Sequence, residues 1–104
     1  MSTKTTTVCW FTFPEGPDRE QLEASIARAI ADAEHLFGKA RVRICAAYYF
    51  SEAGRQVLID VSTDVGECVA QIFTGLVTNQ IGESAFAVVR ETLGAIVPEG
   101  EDSR

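Results

Sequence analysis

The chain has 104 residues, 46% of them of apolar type, and carries 15 acidic against 9 basic side chains for a formal charge of -6 near neutrality. That is the length of one domain with a real core and little stability to spare. The acidic balance argues against a general binder of nucleic-acid backbones, and no apolar run approaches the roughly 20 residues that span a bilayer.

Residues 1–5 are polar and threonine-rich and read as a flexible start. A first strand is expected from about Thr6 to Phe13, and it is apolar on both faces: Val8, Trp10 and Thr12 alternate with Thr7, Cys9, Phe11 and Phe13. Pro14 to Pro17 ends it. Asp18 then caps a helix, with Gln21 placed to complete a capping box. Leu22, Ile26, Ile30, Ala33 and Phe37 recur at helical spacing up to a stop at Gly38.

A second strand is expected over Arg41–Phe50 and a third over Gln56–Ser62, joined by the short Ser51–Gly54 connection of an antiparallel hairpin. The second strand also alternates between two apolar faces, Val42, Ile44, Ala46, Tyr48 and Phe50 against Arg43, Cys45, Ala47 and Tyr49. Thr63 or Asp64 starts a second helix, with Asp64 and Glu67 at capping-box spacing and Val65, Val69, Ile72, Phe73 and Leu76 as its buried stripe. It ends at Asn79 or Gly82, Gly75 being read as a packing residue. A fourth strand covers Ser84–Arg90, Leu93–Val97 reads as a fifth strand or a terminal turn, and residues 98–104 form an acidic tail.

Strand, helix, strand, strand, helix, strand with right-handed crossovers is an α+β, ferredoxin-like βαββαβ arrangement over residues 6–97, an antiparallel sheet with two helices on one face. Two helices cover one side of a sheet, so the second apolar side needs another cover. The second and fourth strands fall at the edges, and the second carries no proline to discourage pairing. Trp10, Cys45, Ala47 and Tyr49 are therefore expected at an interface between copies of the chain, in a homo-oligomer of two or three.

Residues suited to chemistry are sparse. His35 is the only histidine. Ser84 has no base at arguable spacing, and Cys9, Cys45 and Cys68 lie far apart in apolar surroundings, as small buried hydrophobes rather than metal ligands. No cofactor or metal is expected. A non-enzymatic role is favoured over a small enzyme built on His35 with Asp60, Asp64 or Glu83. The odd cysteine count and the lack of a leader fit a cytoplasmic setting. Arg41, Arg43 and Arg90 are the candidate charge partners of a small anion. The segment Thr78–Ser84 is the candidate ligand loop, because Gly82 permits a backbone excursion that exposes amides.

That same segment, Thr78-Asn-Gln-Ile-Gly-Glu-Ser-Ala-Phe-Ala-Val88, resembles the stretch preceding the last core strand in PII-like signal-transduction proteins. Thr78, Ile81 and Gly82 match the Thr-Gly-x-Ile-Gly-Asp-Gly pattern, whereas Glu83 replaces its aspartate and Asn79 and Ser84 stand where glycines belong. The resemblance implies a trimer of ferredoxin-like subunits with an adenine-nucleotide cleft between them, near Thr78, Gly82 and Glu83. The leading expectation is thus a homo-oligomeric regulatory or sensor domain that binds a small anionic ligand, such as a nucleotide, between subunits. A structural or protein-interaction domain without a ligand is the alternative. Neither nucleic acid nor a membrane is expected as a partner.

Overall fold

The computed structural model describes residues 6–14, 17–51 and 55–93. The expected flexible start, the interior of the 51–54 connection, the expected 93–97 element beyond Leu93 and the acidic tail lie outside the described residues. The elements are β1 (Thr6–Thr12), α1 (Arg19–Phe37), α2 (Lys39–Cys45), β2 (Tyr48–Phe50), β3 (Gln56–Asp60), α3 (Asp64–Ile81) and β4 (Ala87–Leu93), with one 3-10 turn at Glu83–Ala85. The four strands form one sheet in the order β2-β3-β1-β4, with every neighbouring pair antiparallel. This is the ferredoxin-like α+β arrangement, with β2 and β4 at the edges.

Local chemistry sets the boundaries. Asp18 accepts a hydrogen bond from the Gln21 amide at 3.0 Å while the Gln21 side chain accepts from the Asp18 amide at 3.3 Å, so the capping box forms. Gly38, at φ +88°, ends α1 and donates its amide to the Glu34 carbonyl. At the start of α3 it is Thr63, not Asp64, that caps: its hydroxyl accepts from the Gly66 amide at 3.0 Å. Glu67 is thereby free of capping and turns to Arg90 instead.

The expected strand over Arg41–Phe50 is corrected. Lys39–Cys45 is a short helix, and only Tyr48–Phe50 pairs with β3. Val42 is 1% exposed and Ile44 83% exposed, so these two β-branched residues do not share a buried face, as a strand would require. Cys45 and Ala46 pack with Val42 against the core, at helical spacing. Three helices, not two, occupy the covered side. The last strand also starts later than expected, at Ala87, because Glu83–Ala85 turns first.

The core lies between the sheet and the helices. Phe11 meets Phe73 edge-on at 5.0 Å between ring centroids, and Phe13 stacks on Phe86 at 5.5 Å. Leu22, Ile26, Val57, Ile59 and Val69 fill the space around them. Of the expected α3 stripe, Val65, Val69 and Phe73 are buried, joined by Gly66, Ala70 and Val77. Gly66 is where α3 crosses the end of β3, and a Cβ there would run into the Asp60 carbonyl. Gly75, expected as a packing residue, is exposed with nothing within 4 Å of the site of a Cβ.

These two glycines should respond oppositely to alanine. Gly66→Ala is expected to lower the thermal midpoint by roughly 5–15 °C through overpacking. Gly75→Ala is expected to raise stability by up to ~1 kcal/mol through helix propensity. Thermal and urea unfolding followed by circular dichroism checks both signs.

Candidate functional site

The strand registers place four side chains in one line across the sheet face that no described helix covers. Tyr49 lies opposite Leu58, Leu58 opposite Trp10, and Trp10 opposite Val89, one residue from each strand. Their parity is opposite to that of Cys9, Phe11, Val57 and Ile59, which face the helices. Tyr49 is 58% and Val89 57% exposed, and Trp10 and Leu58 are half-buried. No helix among the described residues crosses this line, which makes it an apolar stripe running the full width of the sheet.

The neighbouring rungs frame the stripe unequally. On one side stand Asp60, Val8 and Glu91, Val8 itself being buried at 2% exposure although it is on this face, and on the other Gln56, Thr12 and Ala87. The Asp60 carboxylate accepts the Ser62 amide at 2.8 Å. One end of the face is therefore acidic and the other is uncharged.

The expected interface set divides on this geometry. Trp10 and Tyr49 lie on the open face. Cys45 belongs to α2 and packs toward the core, because its segment is helical. Ala47 precedes β2, is exposed, and accepts the Asp60 amide at 2.9 Å. Leu58 and Val89 complete the stripe and were not singled out from sequence; the alternation of Leu58 with the inward Val57 and Ile59 is the signal that marks it.

The expected ligand set is not gathered within the chain. Arg41 donates to both carboxylate oxygens of Asp64 at 2.8 Å, with its guanidinium 5.0 Å from the Phe37 ring centroid. Arg90 donates to Glu67 at 3.2 and 2.8 Å. Arg43 is exposed on α2 and forms no ion pair among the described residues. Thr78, Gly82 and Glu83 lie at the far end of α3, and Gly82 is about 27 Å along the axis from Asp64 at ~1.5 Å per residue.

At that far end the Gly82 amide donates to the Thr78 carbonyl at 2.9 Å, and the Ala85 amide to the Gly82 carbonyl at 3.2 Å. Gly82 holds φ +85°. The excursion expected from glycine is present, but it sits at the carbonyl pole of the helix beside Glu83, where the dipole favours cations over anions.

Among the described residues, open cavities flank the helices. One, of about 300 Å³ between α1 and α3, is lined by Arg28, Leu76 and the buried Ser25, whose hydroxyl accepts from Gln80 at 2.9 Å. Another, of about 340 Å³, lies between α3 and β4 and is lined by Cys9, Val88 and the Arg90–Glu67 pair. The Arg90 guanidinium holds the Glu67 carboxyl below the ordinary carboxylate range, and burial pushes the Cys9 thiol up against the opposing pull of Arg90. All three cysteines are free. His35 is exposed in the last turn of α1, and no group of three His, Cys, Asp or Glu side chains among the described residues is placed to hold a metal.

Fold and surface together define a ferredoxin-like domain with one sheet face left uncovered by the described helices. Compared with known protein families and with curated proteins, the chain matches none. No helix among the described residues is long and apolar enough to cross a membrane.

Because the folded pKa of Glu67 is depressed, its pair with Arg90 contributes stability above the unfolded carboxylate value, near 4.3, and loses it as pH falls through the lower folded value. Glu67→Gln is expected to flatten the decline in thermal midpoint between about pH 5 and about pH 3 relative to the parent chain. A pH series of melting curves for the two proteins checks it.

Proposed function

We propose that this chain is a self-associating domain, a homo-oligomeric assembly module whose working surface is the open sheet face. The observation that carries the reading is the line of Tyr49, Leu58, Trp10 and Val89 across all four strands. Two such faces stacked on each other, as in a β-sandwich, bury the stripe against its own copy. The framing rungs favour strands running in opposite directions in the two copies, so that Asp60 and Glu91 of one face Gln56 and Thr12 of the other. The parallel arrangement would bring four carboxylates together.

A sensor function, with a small anion held between subunits, is the second reading. It finds its support in the Gly82 turn and in the PII-like pattern around it. It draws less from the guanidinium groups, since Arg41 and Arg90 are already bound to carboxylates within the protomer and an anion would have to displace these partners. Assembly needs no such displacement, which is why it leads.

Tyr49→Lys tests the assembly reading. Tyr49 is exposed in the protomer, so the change is expected to alter monomer stability by no more than ~0.5 kcal/mol. It is expected to weaken association about 10-fold or more, as loss of an interface tyrosine does. Sedimentation equilibrium of the parent and the variant over a micromolar range checks this. An unchanged mass in Tyr49→Lys would remove the open face from the interface.

A further inference from the structure

Besides the open face, the sheet has unpaired edges among the described residues. The longer of them is the outer edge of β4. β2, at the opposite edge, has three residues, too few to template much pairing. β4 has seven residues and no proline, and among the described residues nothing pairs with its outer side. Of the usual protections of an edge, shortness, proline and a covering helix are missing among the described residues, and only the charges of Arg90 and Glu91 remain, which restrict the register rather than block the edge. Val88, on the helix-facing side of β4, is still 43% exposed beside the cavity between α3 and β4.

The backbone groups on that edge follow from the hydrogen bonds of β1. The Thr7 carbonyl accepts from Val61, and the Phe13 amide donates to Arg55, so the odd residues of β1 turn their backbone groups toward β3. Val8, Trp10 and Thr12 turn theirs toward β4, where they meet Glu91, Val89 and Ala87. The amides and carbonyls of Val88, Arg90 and Thr92 therefore point outward, unpaired by the sheet.

We infer that β4 pairs antiparallel with β4 of a second copy about a two-fold axis normal to the sheet, with Val89 opposite Val89 at the axis. Side-chain parity permits self-pairing only where a residue meets its own counterpart; centring on Val88 or Thr92 would pair only residues 87–89 or 91–93 of the strand, and charge decides among the longer overlaps. Centring on Arg90 sets two guanidinium groups opposite each other. Centring on Glu91 opposes two carboxylates. Like charges directly opposite destabilise a ladder. Centring on Val89 sets apolar on apolar and places Arg90 opposite Val88, and Val88 and Arg90 are outward-pointing residues that form the flanking hydrogen-bonded pairs. In this register the stripe of one protomer runs through Val89 into that of its neighbour. The occupant is a second copy because an isologous pair closes on itself, whereas joining β4 to a neighbour's β2 would leave an edge open at each end.

This edge is a different surface from the open face, and its axis is perpendicular to the one that stacks faces. With both contacts made, the assembly is a tetramer of 11.3-kDa chains; that stoichiometry rests on the face reading, while the edge pairing does not. In Val88→Pro the ring removes an outward amide that β1 does not use, which an edge strand tolerates. Val88→Pro is expected to halve the mass of the parent assembly, and Tyr49→Lys to halve it independently. Mass unchanged in Val88→Pro overturns the edge pairing, whereas mass unchanged in Tyr49→Lys overturns only the face.

A cross-linking pair reports the register directly and does not depend on the proline variant folding. In a chain with Cys45 and Cys68 replaced by alanine, Val89→Cys is expected to convert most of the protein to a disulfide-linked dimer in oxidised glutathione. Glu91→Cys in the same background is expected to remain uncoupled. Failure of Val89→Cys to couple, or equal coupling by Glu91→Cys, overturns the proposed register.

Discussion

A four-stranded sheet has two faces, and every helix among the described residues packs on the same one. The contact that enforces this is the aromatic layer of Phe11 and Phe13 from β1 against Phe73 of α3, closed at the side by Phe86. Because β1 is a central strand, anchoring its odd residues under the helices commits its even residues to the other side. Trp10 is on that side by parity alone. The apolar stripe is thus a direct consequence of how the core is built, and substitutions that shift the register of β1 would move both surfaces at once.

Much of the core was legible in the residues. The Asp18 and Gln21 capping box, the stop at Gly38, the Leu22 and Ile26 stripe and the Phe11 and Phe13 alternation each carry a local signal that the structure keeps. Lys39–Cys45 misled because seven residues with β-branched Val42 and Ile44 fit either period. What separates the alternatives is tertiary: Val42 fits under α1 and α3, while Ile44 has no place in the core. Tyr48 and Tyr49 do fall on opposite faces as alternation predicts, with Tyr48 set edge-on to Phe50 at the margin of the sheet.

The candidate site was legible only in part. Trp10 and Tyr49 stand out by size, but Leu58 and Val89 become members of the same row only once the strand registers are known. The ion pairs were invisible for a related reason. Arg41 with Asp64 and Arg90 with Glu67 join residues far apart in sequence, and no local pattern announces which acid a lone arginine will find. Each of the three ion pairs among the described residues, Arg19–Glu23 included, takes up one acid with one base, so the excess of 15 acidic over 9 basic side chains remains and leaves the surface unsuited to nucleic acid.

Trp10 is the only tryptophan in the chain, and it sits in the middle of the proposed interface. Its accessibility to acrylamide, measured by fluorescence quenching across a dilution series, tests the central claim directly. Burial of the open face by a second copy predicts weak quenching at high concentration, rising with a red shift of emission as the assembly is diluted apart. Strong quenching that is the same at every concentration would contradict it.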